Sequence, residues 1–167
     1  KWAGRGFKVT LIESTGIGVV GVGEGSTPPL REFFQHMEIP EEEWMPECNA
    51  TYKNGISFVG WSTKPGFERY FHPFASGIDA FTLKPFEFNT RVRRRGVDVE
   101  AHPDHFFFTA LLAERRLAPI PVGEFPFSVD YGYHFDSILL GCYLRGRMVE
   151  AGVRHVDAKV VEVNQHP

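Results

Sequence analysis

Residues 8–13 have the sequence Lys8-Val9-Thr10-Leu11-Ile12-Glu13, and this segment decides the predicted fold class. Its β-branched and apolar residues predict a buried parallel strand that ends in an acidic residue. The turn Gly4-Arg5-Gly6 precedes the strand, and Lys1–Ala3 predict the end of a helix. Helix, glycine turn, strand and terminal acid make up the second half of a nucleotide-binding βαβ unit. We therefore predict an α/β fold, although many α/β strands share this ending.

A glycine-rich segment, Val19–Pro29, follows the predicted strand. Three glycines in five positions allow close backbone approach to a neighbouring group, and two prolines stiffen the exit. Apolar residues then recur at helical spacing from Leu30 to Met37, so Ser26 or Thr27 is predicted to cap a helix. A glycine loop ahead of a helix N-terminus suits an anion or the polar edge of a ligand. No Gly-Lys-Ser/Thr follows, so the segment is not a Walker A loop.

Helical and strand patterns alternate along the rest of the chain. The predicted helices begin near Glu41, cover parts of Ala80–Leu117 with breaks near Pro85 and Pro103, and run from Ile138 to about Ala151. The predicted strands are Ile56–Trp61, Val153–Val156 and Lys159–Val163, and a compact aromatic stretch covers Tyr70–Phe74. This alternation is typical of α/β proteins.

Charge and cysteine content exclude several classes of protein. The formal net charge of -3 argues against a general nucleic-acid binder, and the basic run Arg91–Arg95 is interpreted as a solvated face. Cys48 and Cys142 lie far apart, so they indicate neither a disulfide framework nor a zinc site, and a cytoplasmic location is expected. No apolar stretch approaches the ~20 residues that span a bilayer, so no membrane association is expected. Nor is a metal site expected at His102–His105, since no matching cluster follows.

Five segments, taken together and in order, resemble the flavin-dependent tryptophan halogenases. They are Val9–Glu13, Gly21–Pro28, Trp44–Pro46, Ala50–Phe58 and Tyr133–Asp136. The most specific part is the segment Gly21–Pro28, which we call the strap, together with the lysine-bearing segment Ala50–Phe58 that follows it. The resemblance covers nearly the whole chain and is weakest from Lys84 to Val129.

The resemblance implies a Rossmann-like FAD-binding fold of the flavin monooxygenase type, with a substrate-binding part built onto it. In this family a separate flavin reductase supplies reduced FAD, which reacts with oxygen and oxidises chloride or bromide to hypohalous acid. The oxidant reaches a lysine that directs the halogen onto an aromatic small molecule such as tryptophan or another indole. The resemblance leaves a homodimer open.

The resemblance also assigns roles to individual residues. Lys53 falls on the catalytic lysine, a role that suits its chemistry because an ammonium can polarise hypohalous acid and an amine can become a haloamine. Glu13 falls where doubly wound folds bind a ribose hydroxyl. The segment that runs along the flavin corresponds to Gly21, Val22, Gly23, Glu24, Gly25, Ser26, Thr27 and Pro28.

Two further pairs of residues match positions around the cofactor and the substrate. His134 and Asp136 fall where related flavoproteins contact the cofactor or brace the site, and a structural histidine is the alternative for His134. His72 and Phe74 match positions that line the substrate pocket, where an aromatic wall would stack a flat indole. Core packing is the alternative for both.

Several family features are missing from residues 1–167. They are the dinucleotide fingerprint, the Trp-x-Trp-x-Ile-Pro motif, the glutamate that partners the lysine, and the halide-binding loop. We therefore expect one incomplete FAD-dependent domain over residues 1–167, which by itself neither binds FAD tightly nor turns over. Two alternatives stay open: a flavin-dependent aromatic hydroxylase, which would not need Lys53, and an inactive flavoprotein-like fragment.

Overall fold

The computed structural model describes residues 5–18 and 24–165, and helices and strands alternate along them. The α-helices are α1 (Pro29–His36), α2 (Glu41–Glu47), α3 (Ala80–Arg93), α4 (Phe108–Glu114) and α5 (Ser137–Glu150). The strands are β1 (Thr10–Glu13), β2 (Thr51–Lys53), β3 (Gly55–Val59), β4 (Arg69–Pro73), β5 (Gly132–His134) and β6 (Arg154–Asp157). Two compact units result: a first unit of Lys1–Glu24, Glu41–Ala50 and Phe135–Pro167, and a second unit of Gly25–Pro40 and Thr51–His134.

The first unit is built on the parallel pair of β1 and β6, in which Glu13 lies opposite Asp157. The predicted parallel strand is therefore present, but it is not buried, since Ile12 keeps 51% of its surface exposed. Among the described residues β6 is the one strand that pairs with β1, which leaves its apolar side chains open. Helix α5 packs against α2, where the fully buried Trp44 meets Phe135 edge to face at 6.3 Å.

The second unit contains two antiparallel pairs, β2 with β5 and β3 with β4. Helix α1 packs on β5 through Phe34 and Tyr133, which are both fully buried and lie 6.4 Å apart edge to face. Helix α4 packs on β3 and β4 and buries Thr109 and Leu112. These contacts hold β5 in the core and fix the position of β2 beside it.

The start of α1 differs from the prediction of a Ser26 or Thr27 cap. Pro28 stands at the N-cap position, and no side chain caps the helix. Ser26 is engaged elsewhere, because its hydroxyl oxygen accepts the backbone N–H of Tyr133 at 2.9 Å. Proline suits the start of a helix because its ring fixes φ near the helical value. The N–H that proline lacks would not be bonded within the helix at this position.

The break predicted at Pro85 does not occur, because α3 continues through this residue. Proline inside a helix removes one backbone hydrogen bond, a loss that tertiary packing can offset. The neighbouring Phe86 packs against Phe106 at 5.3 Å and Phe107 at 5.2 Å. The break near Pro103 is present, since Pro103–His105 form a separate 3-10 helix.

The strand predicted at Lys159–Val163 is also absent. Its valines remain in solvent, with Val161 exposed over 88% of its surface and Val163 over 80%. β-Branched residues form a strand when a neighbouring strand and an apolar layer receive them. Within residues 5–18 and 24–165 no strand pairs with this segment.

Candidate functional site

Lys53 is the last residue of β2 and lies opposite Gly132 of β5. The pairing of the two strands is supported by tyrosine rings, since Tyr52 lies 5.2 Å from Tyr131 and 6.4 Å from Tyr133. Tyr131 and Tyr133 are buried, so the strand opposite Lys53 is anchored in the core. The long lysine side chain therefore starts from a rigid position.

The segment Gly25–Ser26 lies along the other edge of β5. The N–H of Ser26 donates to the Tyr133 carbonyl at 2.8 Å, and the Ser26 hydroxyl accepts the Tyr133 N–H at 2.9 Å. Gly25 forms a bridge with His134. Because Tyr133 directs both backbone groups to Ser26, β5 lies between this segment and β2.

The Lys53 amine reaches across to Gly25. A Cβ atom built on Gly25 would lie 3.0 Å from Lys53 Nζ and 3.4 Å from His134 Nδ1. The strap also approaches β5 closely at Gly132, where an added Cβ would lie 2.6 Å from the Ser26 carbonyl oxygen. Glycine at both positions therefore brings a strap backbone, an amine and an imidazole to one place.

The Lys53 amine has an aromatic neighbour. Its nitrogen lies 5.8 Å from the centroid of the Phe74 ring, within the range of a cation–π interaction. No carboxylate among the described residues lies within 4.0 Å of this amine. The amine thus lies beside the Phe74 ring and the Gly25 backbone, without a carboxylate of residues 5–18 and 24–165 within 4.0 Å.

At this site the pKa of His134 is lowered. Although His134 is among the exposed residues, loss of solvent around its ring lowers the pKa of the imidazole, and the positive charge of Lys53 lowers it further. The neutral imidazole therefore predominates at pH 7. A neutral ring can exchange hydrogen bonds with an amine beside it without adding charge.

Phe74 and His72 differ in their surroundings. Phe74 is 7% exposed, and its backbone is fixed by hydrogen bonds with the Asn54 carbonyl and the Thr109 hydroxyl, both at 3.0 Å. His72 is exposed in β4, and its ring meets Phe58 edge to face at 6.2 Å. The structure therefore brings Phe74 to Lys53, whereas the ring contact of His72 is with Phe58.

Glu13 lies in an ion-pair cluster of the first unit. Its Oε1 atom contacts Arg145 Nη1 at 2.8 Å and His155 Nε2 at 3.0 Å. The hydrogen bond from Arg145 is the main cause that lowers the pKa of the Glu13 carboxyl. Arg145 and His155 were not predicted from the sequence, because their relation to Glu13 depends on α5 leading into β6 beside β1.

The other predicted cofactor residues take part in hydrogen bonds with backbone N–H groups in the described structure. The Asp136 carboxylate caps α5 by accepting the N–H groups of Ile138 and Leu139. Carbonyl groups of the strap accept neighbouring N–H groups at Glu24, Thr27 and Pro28. Gly21, Val22 and Gly23 lie outside the described residues.

Gly132 is the site residue that sequence reasoning missed. The signal was present, because an isolated glycine within the strand-like run Tyr131-Gly132-Tyr133 indicates close backbone approach. What the sequence did not reveal is the partner, which is the Ser26 carbonyl group more than a hundred residues earlier in the chain.

The histidines of the His102–His105 segment have structural partners. His105 Nδ1 lies 2.9 Å from a Glu100 carboxylate oxygen, and His102 Nε2 lies 3.1 Å from the Arg69 carbonyl oxygen. The described part of the chain contains no group of three side chains that could hold a metal ion. No helix in that part is long and apolar enough to cross a membrane.

Comparison with known proteins identifies relatives over nearly the whole chain. Residues 1–167 match the tryptophan halogenase family. Tryptophan 6-halogenase SttH of Streptomyces toxytricini is 35% identical over 96% of this chain and 34% of its own length. Tryptophan 7-halogenase RebH of Lentzea aerocolonigenes is 31% identical over 94% of this chain and 32% of its own length. The chain spans about a third of the length of these relatives.

Solved structures give the same result for the fold. Xcc4156, a flavin-dependent halogenase from Xanthomonas campestris, superposes with a TM-score of 0.74 and 30% identity over 99% of this chain and 32% of that chain. The SttH structure gives a TM-score of 0.69 and 33% identity over 96% of this chain and 31% of that chain. These matches confirm the predicted α/β fold as that of the corresponding part of the larger halogenases.

Proposed function

The chain belongs to the tryptophan halogenase family, and from that premise we propose that it carries the lysine-bearing part of a flavin-dependent enzyme that halogenates an aromatic small molecule. Tryptophan or another indole is the proposed substrate class, since relatives named as tryptophan 6- and 7-halogenases cover most of the chain. The observation that carries the proposal is the Lys53 amine, held against Gly25 and Phe74 without a carboxylate partner among the described residues.

Lys53 is the proposed catalytic residue. As an ammonium it donates a hydrogen bond to the oxygen of hypohalous acid and makes the halogen more electrophilic. As a free amine it exchanges a hydrogen for the halogen, which releases water and gives a haloamine. In both cases the position of Nζ determines which substrate carbon receives the halogen. The anchored strand beneath Lys53 suits this requirement.

Phe74 is the proposed aromatic wall of the substrate pocket. Its buried ring has a fixed backbone and lies 5.8 Å from the Lys53 nitrogen. A flat indole gains from offset or edge-to-face contact with such a ring. His72 is retained as a proposed substrate contact on the resemblance alone, since its ring packs on Phe58.

FAD fits the described residues. Gly25 is exposed, so a flat ring can approach the strap backbone there, and Glu13 keeps 39% of its side chain exposed with both contacts on Oε1. We propose that Glu13 holds a ribose hydroxyl and that the strap runs along the flavin ring. His134 and Asp136 are each proposed to contact the cofactor or to support its site. The chemistry that reduced FAD supplies when bound is the oxidation of a halide ion by oxygen.

The reaction needs partners besides the substrate. A chloride or bromide ion is the proposed co-substrate, and a separate flavin reductase is the proposed source of reduced FAD. Because such a reductase uses NADH, we place the reaction in the cytoplasm. We also propose that the protein forms a homodimer.

The test uses the intact protein with FAD, a flavin reductase, NADH, oxygen and bromide. Tryptophan and indole are offered, and mass spectrometry detects the isotope doublet of a brominated product. We expect the doublet in the wild type and in Lys84→Ala, which removes an exposed lysine of α3. We expect a loss of at least about a thousandfold in Lys53→Ala, since the reaction then lacks its directing group.

Three outcomes would contradict the proposal. Unchanged bromination in Lys53→Ala would remove the lysine from the mechanism. A hydroxylated product with no doublet, formed equally by wild type and Lys53→Ala, would identify an aromatic hydroxylase instead. If flavin is bound but neither product forms on tryptophan, indole, pyrrole or phenol, the reading as an inactive flavoprotein is supported.

A further inference from the structure

His134 is in a position to act on Lys53. Its Nδ1 atom and the Lys53 nitrogen both lie within 3.4 Å of the point where a Cβ on Gly25 would be. His134 is the last residue of β5 and is fixed on two sides, by the bridge to Gly25 and by its register opposite Thr51. The imidazole and the amine therefore both approach the backbone of Gly25, which carries no side chain on that side.

Lys53 is the charged group that acts on His134. Gly25 and Ser26 beside it carry no charge, and β2 contributes only Lys53. Arg31 of α1, which also packs on β5, faces elsewhere: its guanidinium covers the Tyr131 ring at 4.2 Å and donates to the Val129 carbonyl. No carboxylate among the described residues lies within 4.0 Å of the His134 ring, so a positive charge on His134 would face the ammonium without an ion-pair partner.

The two protonation states of His134 have opposite effects on the amine. The neutral ring can accept a hydrogen bond from the ammonium and can remain beside it at the strap. The protonated ring can only donate, and its positive charge repels the ammonium of Lys53. The lowered pKa of His134 keeps the neutral state dominant at pH 7.

We infer that His134 is a positioning residue for Lys53, which as a neutral imidazole holds the amine at Gly25 and on protonation drives it away. This inference rests on the proposed function for its catalytic consequence but not for its geometry. It assigns His134 a task beyond contact with the cofactor: the imidazole sets the acid limit of the pH range in which Lys53 is correctly placed.

The first test separates charge from shape. His134→Gln retains a neutral hydrogen-bonding group, whereas His134→Arg supplies a fixed positive charge. We expect His134→Gln to keep at least about a third of the wild-type kcat and to extend activity to lower pH, because no group is left to protonate. We expect His134→Arg to lose activity about a hundredfold at every pH. A residue that acted only through packing would make both variants fail together at all pH values.

The second test needs no turnover and no flavin. The intact flavin-free protein is labelled at pH 8 with a limiting amine-reactive reagent, and peptide mass spectrometry gives the labelling ratio of Lys53 to Lys84. In His134→Arg the fixed charge favours the uncharged amine and moves it outward, so this ratio should rise at least about threefold. In His134→Gln it should stay within about twofold of wild type.

Matched variants at His105, whose ring pairs with Glu100, provide the control. His105→Gln and His105→Arg should leave the labelling ratio and the pH profile unchanged. A labelling ratio that is the same in wild type and His134→Arg would overturn the inference, whatever the activity. A ratio that rises in an otherwise inactive protein would support the positioning of Lys53 and reject the proposed halogenation.

Discussion

The amine nitrogen of Lys53 lies 3.0 Å from the point that a Cβ atom on Gly25 would occupy. These two residues come from separate parts of the second unit, and β5 joins them by pairing with β2 on one edge and with the strap on the other. A single methyl group at position 25 would therefore reach the proposed catalytic atom directly. The strap is therefore part of the surroundings of Lys53, and a substitution at Gly25 tests this.

Gly25→Ala should lower activity without unfolding the protein. The added methyl would press on the far end of a flexible lysine, which can move by a few tenths of an ångström at little energetic cost. We expect the free energy of unfolding to change by less than about 1 kcal/mol and kcat to fall about tenfold, because Nζ is displaced. Denaturant unfolding and initial rates of bromination measure the two quantities.

The control for Gly25→Ala is Gly16→Ala, where the nearest atom to an added Cβ is Ser14 Oγ at 3.7 Å. This substitution should change neither stability nor rate beyond experimental scatter. Wild-type kcat in Gly25→Ala would contradict the proposed dependence of halogenation on the position of Nζ.

Gly132→Ala should mainly lower stability, whereas Gly25→Ala should mainly lower activity. An added Cβ would lie 2.6 Å from the Ser26 carbonyl oxygen and 3.0 Å from its carbon, and backbone atoms cannot move aside as a lysine tip can. We expect the free energy of unfolding to fall by about 1–3 kcal/mol, the range for overpacking a close contact. Urea denaturation followed by tryptophan fluorescence measures the change.

Gly141→Ala is the comparison for this second prediction. Gly141 lies inside α5 and an added Cβ would meet no atom within 4 Å, so alanine should stabilise the protein by about 0.5–1 kcal/mol. If Gly132→Ala proved as harmless as Gly141→Ala, the close approach of the strap to β5 would be wrong.

Asp136 offers a test between a helix cap and a cofactor contact. Its carboxylate accepts the N–H groups of Ile138 and Leu139, so Asp136→Ala should lower the free energy of unfolding by about 1 kcal/mol, whereas Asp136→Asn should keep the cap. Unfolding and flavin affinity are measured on the same samples. Weaker flavin binding by a fully stable Asp136→Asn would establish the cofactor role, and unchanged binding would leave the cap as its only task.

The surface ion pair of Asp98 provides the reference for that comparison. Asp98 is 98% exposed and contacts Arg93 at 3.2 Å, and such pairs contribute little. Asp98→Ala should therefore lower the free energy of unfolding by less than about 0.5 kcal/mol. A larger loss there than in Asp136→Ala would mean that the α5 cap is not the stabilising contact.

The sequence predicted local elements better than the contacts between them. The strand at Thr10–Glu13 and helix α5 follow from patterns of a few neighbouring residues, and both are present. The helix through Pro85 was missed because Phe86 packs on residues about twenty positions away, which no local rule contains. The same limit explains Ser26, whose hydroxyl bonds to β5 instead of capping α1.

The candidate site shows this limit most clearly. Lys53 and the strap could be singled out through a family resemblance, and their proximity agrees with one site. The meeting of Lys53 with His134 at Gly25 depends on β5 lying between two other segments, so spacing along the chain does not encode it. The pairing of Glu13 with Arg145 has the same origin, since it depends on the order of β1, α5 and β6.

Glu13 should make stability depend on pH in the acid range. The hydrogen bond from Arg145 is the main cause that lowers the pKa of its carboxyl in the folded protein. A carboxyl whose pKa is lowered by folding stabilises the folded protein at pH values above its pKa in the unfolded chain, which is near 4.5. This contribution is lost as the pH falls through the pKa of the folded state. Glu13→Gln should therefore be less stable than wild type at pH 7, and the difference should shrink below about pH 4.5.

The measurement is the denaturation midpoint of both proteins from pH 7 to pH 3.5, with Glu162→Gln as the control in the exposed segment after β6. The control should follow the wild type at every pH. A difference between wild type and Glu13→Gln that stayed constant down to pH 3.5 would show that the charge of Glu13 is not what stabilises the first unit. In that case the ion pair of Glu13 with Arg145 would contribute no charge-dependent stability to the folded protein, and Glu13 would act there only through its shape and its hydrogen-bonding oxygens.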